Sequence, residues 1–275
     1  MADEAPVPSK SRISDVLPEP YTPEYLEWRR RSVAARGGDK WKGADASDPK
    51  GPAGHARGIR ISVSITSNYR QTHRKAAMDI KPQDVIDVLT AAGVKKWVLM
   101  GLHGYVGYLP QPRATQDVDV LISYRDRKRA VKAVREAWPT LIVEELEVVI
   151  RFKDPNDRFK DGRPKPVIDL MLPWSTVNEA ILKNKKYVVV DPETNHIIPV
   201  VEAALASKYA ALISDTREWD KKEYDAGDFR RIARANYGQV DRAVLRELGR
   251  MIWKGGGKEL ERFFEIAQRD EKFPV

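Results

Sequence analysis

Three aspartates set the chemistry this chain can do. Asp117 and Asp119 stand two apart in DVDVLISY, residues 117–124. In an extended segment that spacing puts both carboxylates on one face, while Val118 and Val120 turn to the other. Two carboxylates held a few ångströms apart repel one another unless a cation lies between them. Hard oxygen ligands of this kind suit Mg²⁺, which takes one or two protein carboxylates and completes its shell with phosphate oxygens and water. Asp169 is the single polar residue of residues 167–172, in PKPVIDLMLP. A charge there is a poor core filler, because an unpaired buried carboxylate costs of order several kcal/mol. If its strand lies beside the first, three carboxylates converge and two metal ions can be held.

Other residues belong with this set. Gly101 and Gly104 follow the apolar segment KKWVLM and precede a short helical stretch, where glycines allow close backbone approach to a phosphate. Arg113 and Thr115 precede the paired aspartates and offer a cation and a hydroxyl. Lys208 is set in ALASKYAAL, a cation on an otherwise apolar helix, with Asp225 and Asp228 downstream, three apart on one face, either orienting Lys208 or Arg217 or simply exposed. The alternative for Lys208 is a packed stem with a solvated amine. His103 lies within the glycine turn. His55, His73 and His196 have no evident partner in the sequence. Trp97 and Trp138 read as core, and Trp174 as a candidate stacking surface for a base.

The elements that must hold these residues are legible as alternating patterns. KPQDVIDVLTAAG reads as a helix entered at Pro82, with Val85, Val88 and Leu89 at helical spacing and Gly93 as the stop. KKWVLMG and DVDVLISY read as strands, LHGYVGYL as a short helix, and RDRKRAVKAVREAW as a basic amphipathic helix with Ala130, Val131, Val134 and Ala137 inward. LIVEELEVVIRF gives one or two strands and KPVIDLMLP another; NEAILKN is a brief helix, and KKYVVVD a further strand. Strands interleaved with helices predict an α/β or α+β domain over residues 76–194. Beyond about residue 195 strand signals stop, and four segments with apolar residues three and four apart predict a helical domain over residues 195–275, with the active cleft between the two.

Residues 1–75 carry fourteen Lys/Arg against nine Asp/Glu and are rich in proline and glycine, which predicts a flexible basic arm. One short helix is expected in it after Thr22-Pro23-Glu24, and residues 37–58 read as linker. Arg29, Arg30 and Arg31 are candidate phosphate contacts, as are Arg125, Arg127, Lys128, Arg129, Lys132 and Arg135 of the basic helix. The 275 residues bear a formal net charge of +8, a balance that favours nucleic acid or nucleotides and equally serves solubility. With no cysteine, disulfides, thiolate metal sites and cysteine nucleophiles are excluded. No apolar run approaches a membrane span, and the start lacks a signal-peptide layout, so a cytoplasmic protein without a membrane partner is expected.

The order of strand, glycine turn, short helix, Arg113-Ala114-Thr115, D-x-D strand and lone aspartate resembles the nucleotidyltransferase superfamily that includes DNA polymerase β. RATQDVDVLI looks closest to its R-x-T-x-D-x-D branch, home of the AbiEii-type toxins and many uncharacterised bacterial relatives. The resemblance covers about residues 80–235. It implies a mixed sheet with flanking helices, Mg²⁺ on Asp117 and Asp119, and Asp169 as the third carboxylate helping to activate the attacking hydroxyl. Gly101 and Gly104 would then hold a nucleoside triphosphate, and Lys208 would neutralise its charge. The implied acceptor is an RNA such as tRNA, a protein or a small molecule, and a toxin role would bring an antitoxin partner. Leu102 stands where the family often has serine, the second glycine falls at Gly104, and Tyr224 replaces a family lysine. Those departures keep open a non-catalytic nucleotide- or nucleic-acid-binding protein that retains the fold.

Overall fold

The computed structural model describes residues 54–269 and 271–274. The expected helix after Thr22 and the arginines at 29–31 lie outside them. A five-stranded mixed sheet organises these residues, in the order β1-β2-β5-β4-β3. Its strands are β1 (Trp97–Leu99), β2 (Val118–Ile122), β3 (Ile142–Glu145), β4 (Val149–Arg158) and β5 (Pro164–Met171). The β2–β5 pair is parallel, and the other neighbours are antiparallel. β5 is buried along most of its length, as its near-continuous apolar run requires of a central strand.

Helices cover both faces. On one face α1 (His55–His73), α2 (Pro82–Ala91) and α4 (Arg127–Ala137) pack over Val118, Val120, Ile168 and Phe152. α2 begins at Pro82 because its ring fixes the first helical φ and its missing N–H would be unpaired there anyway. The chain leaves α2 through Gly93 at φ +77°, a left-handed exit that suits glycine. On the other face lie α3 (Gly101–Tyr105), α5 (Thr176–Lys183), α6 (Val201–Leu212), α7 (Trp219–Ala235), α8 (Arg242–Ile252) and α9 (Gly256–Arg269). Their apolar residues, Leu205, Tyr209, Phe229, Leu248 and Phe263 among them, form one continuous cluster with Val98, Met100 and Leu121 of the sheet. The C-terminal helices thus share a core with one sheet face. A mixed sheet flanked by helices and followed by an all-helical region is the expected architecture.

Four readings of the sequence need correction. The stretch from His55, taken as linker and arm, is a 19-residue helix whose His55, Ala56, Ile59 and Ser62 are buried; its many polar residues hid it because they bond inward. A strand lies beyond residue 195: β7 (Ile197–Pro199) pairs with β6 (Val188–Val190) in a separate two-stranded ribbon. β4 runs on through Asp154, Pro155 and Asn156, with register shifts where it passes them, since bulges accommodate proline in a strand. Ala137 is exposed at the end of α4, whereas Ala130, Val131 and Val134 are buried as read.

Candidate metal centre and its cationic surround

Strand register assembles the carboxylates. Asp119 of β2 sits directly opposite Asp169 of the parallel neighbour β5, and Asp169 is opposite Arg151 of β4, which in turn faces Glu144 of β3. Residues opposite one another in a sheet share a face, so this charged row crosses four strands on one side. Asp117 joins it from just before β2. The result is a cluster in which one carboxylate oxygen of each of Asp117, Asp119 and Asp169 lies within 4.8 Å of the others. Val118 and Val120 are buried on the opposite face, as the alternation requires.

The cluster is electrostatically unsatisfied by protein alone. Burial, with repulsion from Asp117, raises the Asp169 carboxyl to about 6, although Arg151 pulls the other way. Asp119 keeps part of its surface open but is ringed by protein. Desolvation, then Asp117 and Asp169, push its pKa well up against the opposing pull of Lys208 and Arg217. Arg151 Nε donates to Asp169 Oδ2 at 3.1 Å, yet Asp169 Oδ1 is buried and accepts no hydrogen bond. Converging oxygens, raised proton affinity and an orphaned lone pair fit a divalent cation, which would satisfy all three at once.

The glycines serve the cluster differently from the expectation. Gly101 has φ +55°, and a Cβ there would fall 1.8 Å from Asp119 Oδ2. The turn is glycine so that the Asp119 carboxylate can lie against the backbone. The Gly104 N–H, expected to face a phosphate, donates to Met100 O at 2.9 Å, and a Cβ there would meet Leu99 O at 2.2 Å. Its role is the close seating of α3 on β1. Thr115, read as a hydroxyl for phosphates, donates from Oγ1 to Asp117 Oδ1 at 2.9 Å and so orients a carboxylate.

A cationic network adjoins the carboxylates. Lys208 Nζ donates to Asp225 Oδ1 at 2.7 Å and Asp228 Oδ2 at 3.2 Å, and lies 4.7 Å from the centre of the Tyr105 ring. Burial opposes the Lys208 charge, but Tyr105, Asp228 and Asp225 outweigh it, so its pKa is raised. Arg113 donates to Asp228 Oδ2 at 2.7 Å, alongside the Tyr105 hydroxyl at the same distance. Arg217 holds Asp225 through two bonds, and Arg231 reaches Asp228 Oδ1 at 3.3 Å. Burial would raise the Asp228 pKa, but Lys208 and Arg113 hold it far below the usual carboxylate range. Four cations thus surround two buried carboxylates, and the charges of two of them, Lys208 and Arg217, act on Asp119.

The structure therefore brings Asp117, Asp119, Asp169, Gly101 and Thr115 together directly, and Arg113 and Lys208 into the adjoining network. Arg151, Tyr105, Arg217 and Arg231 complete these contacts. Of these, sequence reasoning considered Arg217 and missed the others; Arg151 was legible only through the strand register, which no local pattern fixes. Trp174 is exposed just after β5. His55 Nε2 and His196 Nδ1 are 3.1 Å apart and buried, so the two histidines read as unpartnered are partners of one another.

The fold and site define a mixed-sheet α/β protein with an acidic cluster able to coordinate a divalent metal. No family model matches the chain, and no curated protein matches it. Among solved structures the chain is similar to an antigenic nucleotidyltransferase-like protein from Paracoccidioides brasiliensis. That likeness has a TM-score of 0.37 and 13% identity, and covers 66% of this chain and 89% of that one. No helix among the described residues is long and apolar enough to cross a membrane.

Proposed function

We propose that the protein transfers a nucleoside monophosphate from a nucleoside triphosphate to an acceptor hydroxyl, with Mg²⁺ held by Asp117, Asp119 and Asp169. The observation that carries the reading is the triad itself: two carboxylates on paired strands and a third just before one of them, one with a buried unpartnered oxygen, beside a network of cations. Bound Mg²⁺ would supply charge neutralisation of the phosphates and acidify the attacking hydroxyl. The chain's own residues do the rest. Thr115 and Gly101 set Asp117 and Asp119 in place, from the hydroxyl donor on one and the open backbone beneath the other. Arg151 orients Asp169 by its bond to Oδ2, leaving Oδ1 for a metal or for the acceptor proton.

Lys208 and Arg217, whose charges already act on Asp119, offset the negative charge a triphosphate would bring. Residues 76–194 then form the nucleotidyltransferase-like part and residues 195–275 a helical part that supplies these two cations. The acceptor is an RNA, a protein or a small molecule. The test is incubation with each α-labelled nucleoside triphosphate, Mg²⁺, and total cellular RNA and protein. Transfer of label that disappears in Asp119→Asn is expected. Metal-linked binding of nucleotide without any transfer would instead make this a binding protein that kept the site.

A further inference from the structure

Residues 113–117 lead into β2 but belong to no strand, so their backbone groups need partners from elsewhere. α1 supplies them from three buried residues spaced four apart, which on a helix fall along one stripe. Ser62 Oγ donates to Arg113 O at 2.6 Å. Thr66 Oγ1 donates to Ser62 O at 2.8 Å within the helix, accepts from the Thr115 N–H at 3.4 Å and lies 3.2 Å from Thr115 O. Arg70 donates from one guanidinium nitrogen to Gln116 O at 2.6 Å. Its other terminal nitrogen is anchored to Asp79 Oδ1 at 3.2 Å and Ile80 O at 3.5 Å, and Ser67 Oγ donates to Asp79 Oδ2 at 2.7 Å.

From this we infer that α1 is a positioning element for the metal centre: Ser62, Thr66 and Arg70 replace a neighbouring strand and fix the approach to Asp117. The inference rests on reading Asp117 as a metal ligand. Fixing a residue's backbone costs conformational entropy. Without the stripe that cost falls on metal binding, because an untethered residue 115 no longer aims its hydroxyl at Asp117 Oδ1, 2.9 Å away. A helix that merely packed on the core would present apolar side chains here. This one commits a buried guanidinium, 6% exposed, to a peptide carbonyl two positions from a core strand.

The experiment is Mn²⁺ binding to the full chain, followed by the electron paramagnetic resonance of free Mn²⁺ and with folding monitored by circular dichroism. Thr66→Val with Arg70→Met should raise the Mn²⁺ Kd about tenfold or more. Arg70→Lys, which keeps the charge but not the fork, should fall between that variant and the parent. Ile59→Ala, which opens the core face of the same helix, should lower the melting temperature and leave the Kd within twofold. If the double variant does not fold, Thr66→Val alone decides, with a rise of threefold or more expected. A folded variant with unchanged Kd, or an equal loss in Ile59→Ala, overturns the positioning role and leaves the metal site standing. Failure of the parent protein to bind Mn²⁺ overturns the metal site itself and the positioning role with it.

Discussion

Replacing Asp169 with asparagine should make the metal-free protein more stable. One oxygen from each carboxylate lies within 4.8 Å of the others, and at an effective dielectric of about 20 each such pair repels by roughly 3 kcal/mol. Asp169→Asn removes two of the three repulsions and keeps the shape. Against this stands the lost charge on the Arg151 pair. Arg151 is about a third exposed, at 36%, so solvent screens that pair and its loss costs about 1 kcal/mol or less; the asparagine oxygen still accepts from Nε. With all three carboxylates ionised the net gain should be about 5 kcal/mol, which for a domain of this size raises Tm by roughly 10–20 °C. The assay is thermal unfolding at pH 7.5 in chelator and again in millimolar Mg²⁺ or Mn²⁺. The parent should melt lower in chelator and gain several degrees with metal; the variant should start higher and gain almost nothing. A variant that melts below the parent in chelator would refute the claim that the carboxylates oppose one another.

Gly101→Ala should abolish divalent-ion binding and destabilise the fold by about 2 kcal/mol or more, since it adds a Cβ 1.8 Å from Asp119 Oδ2 to a left-handed backbone; calorimetry with Mn²⁺ and denaturant melts measure both. Lys208→Met should cost about 3 kcal/mol by chemical denaturation, because Asp225 and Asp228 lose a shared partner while buried. Acid should unfold the protein partly through His55, whose pKa falls from 6.5 to about 4 because burial, and secondarily His196, disfavour its charge. The unfolded chain therefore binds the extra proton first, and stability drops as pH falls from about 6.5 to 4, by up to roughly 3 kcal/mol, with no further His55 contribution below that. His55→Gln should flatten this limb in urea melts taken across the window, and an unchanged limb would show that the histidine is not its source.

How much of this was legible in the sequence follows from which interactions are local. The D-x-D alternation, the apolar strand around Asp169, the proline entry of α2 and the amphipathic α4 are set within one element, and each stands where it was read. α1 escaped because most of its buried side chains beyond Ala56 and Ile59 are polar, a serine, a threonine, an arginine and a histidine satisfied by partners 46–51 residues away for the loop contacts and 141 residues away for His55 with His196. Gly104 looked like a phosphate ligand because glycine serves two ends, an open backbone or close packing, and only the distance to Leu99 O separates them. Asp225 and Asp228 were placed on one helix face, but Asp228's partner Arg113 lies 115 residues away, a pairing that helical periodicity cannot show.

The most direct test of the metal centre is the anomalous diffraction of crystals grown with Mn²⁺. A peak within coordination distance of the oxygens of Asp117, Asp119 and Asp169 is the result this account requires. A protein that takes up Mn²⁺ only at other carboxylates, with Asp169 Oδ1 still unligated, would contradict it.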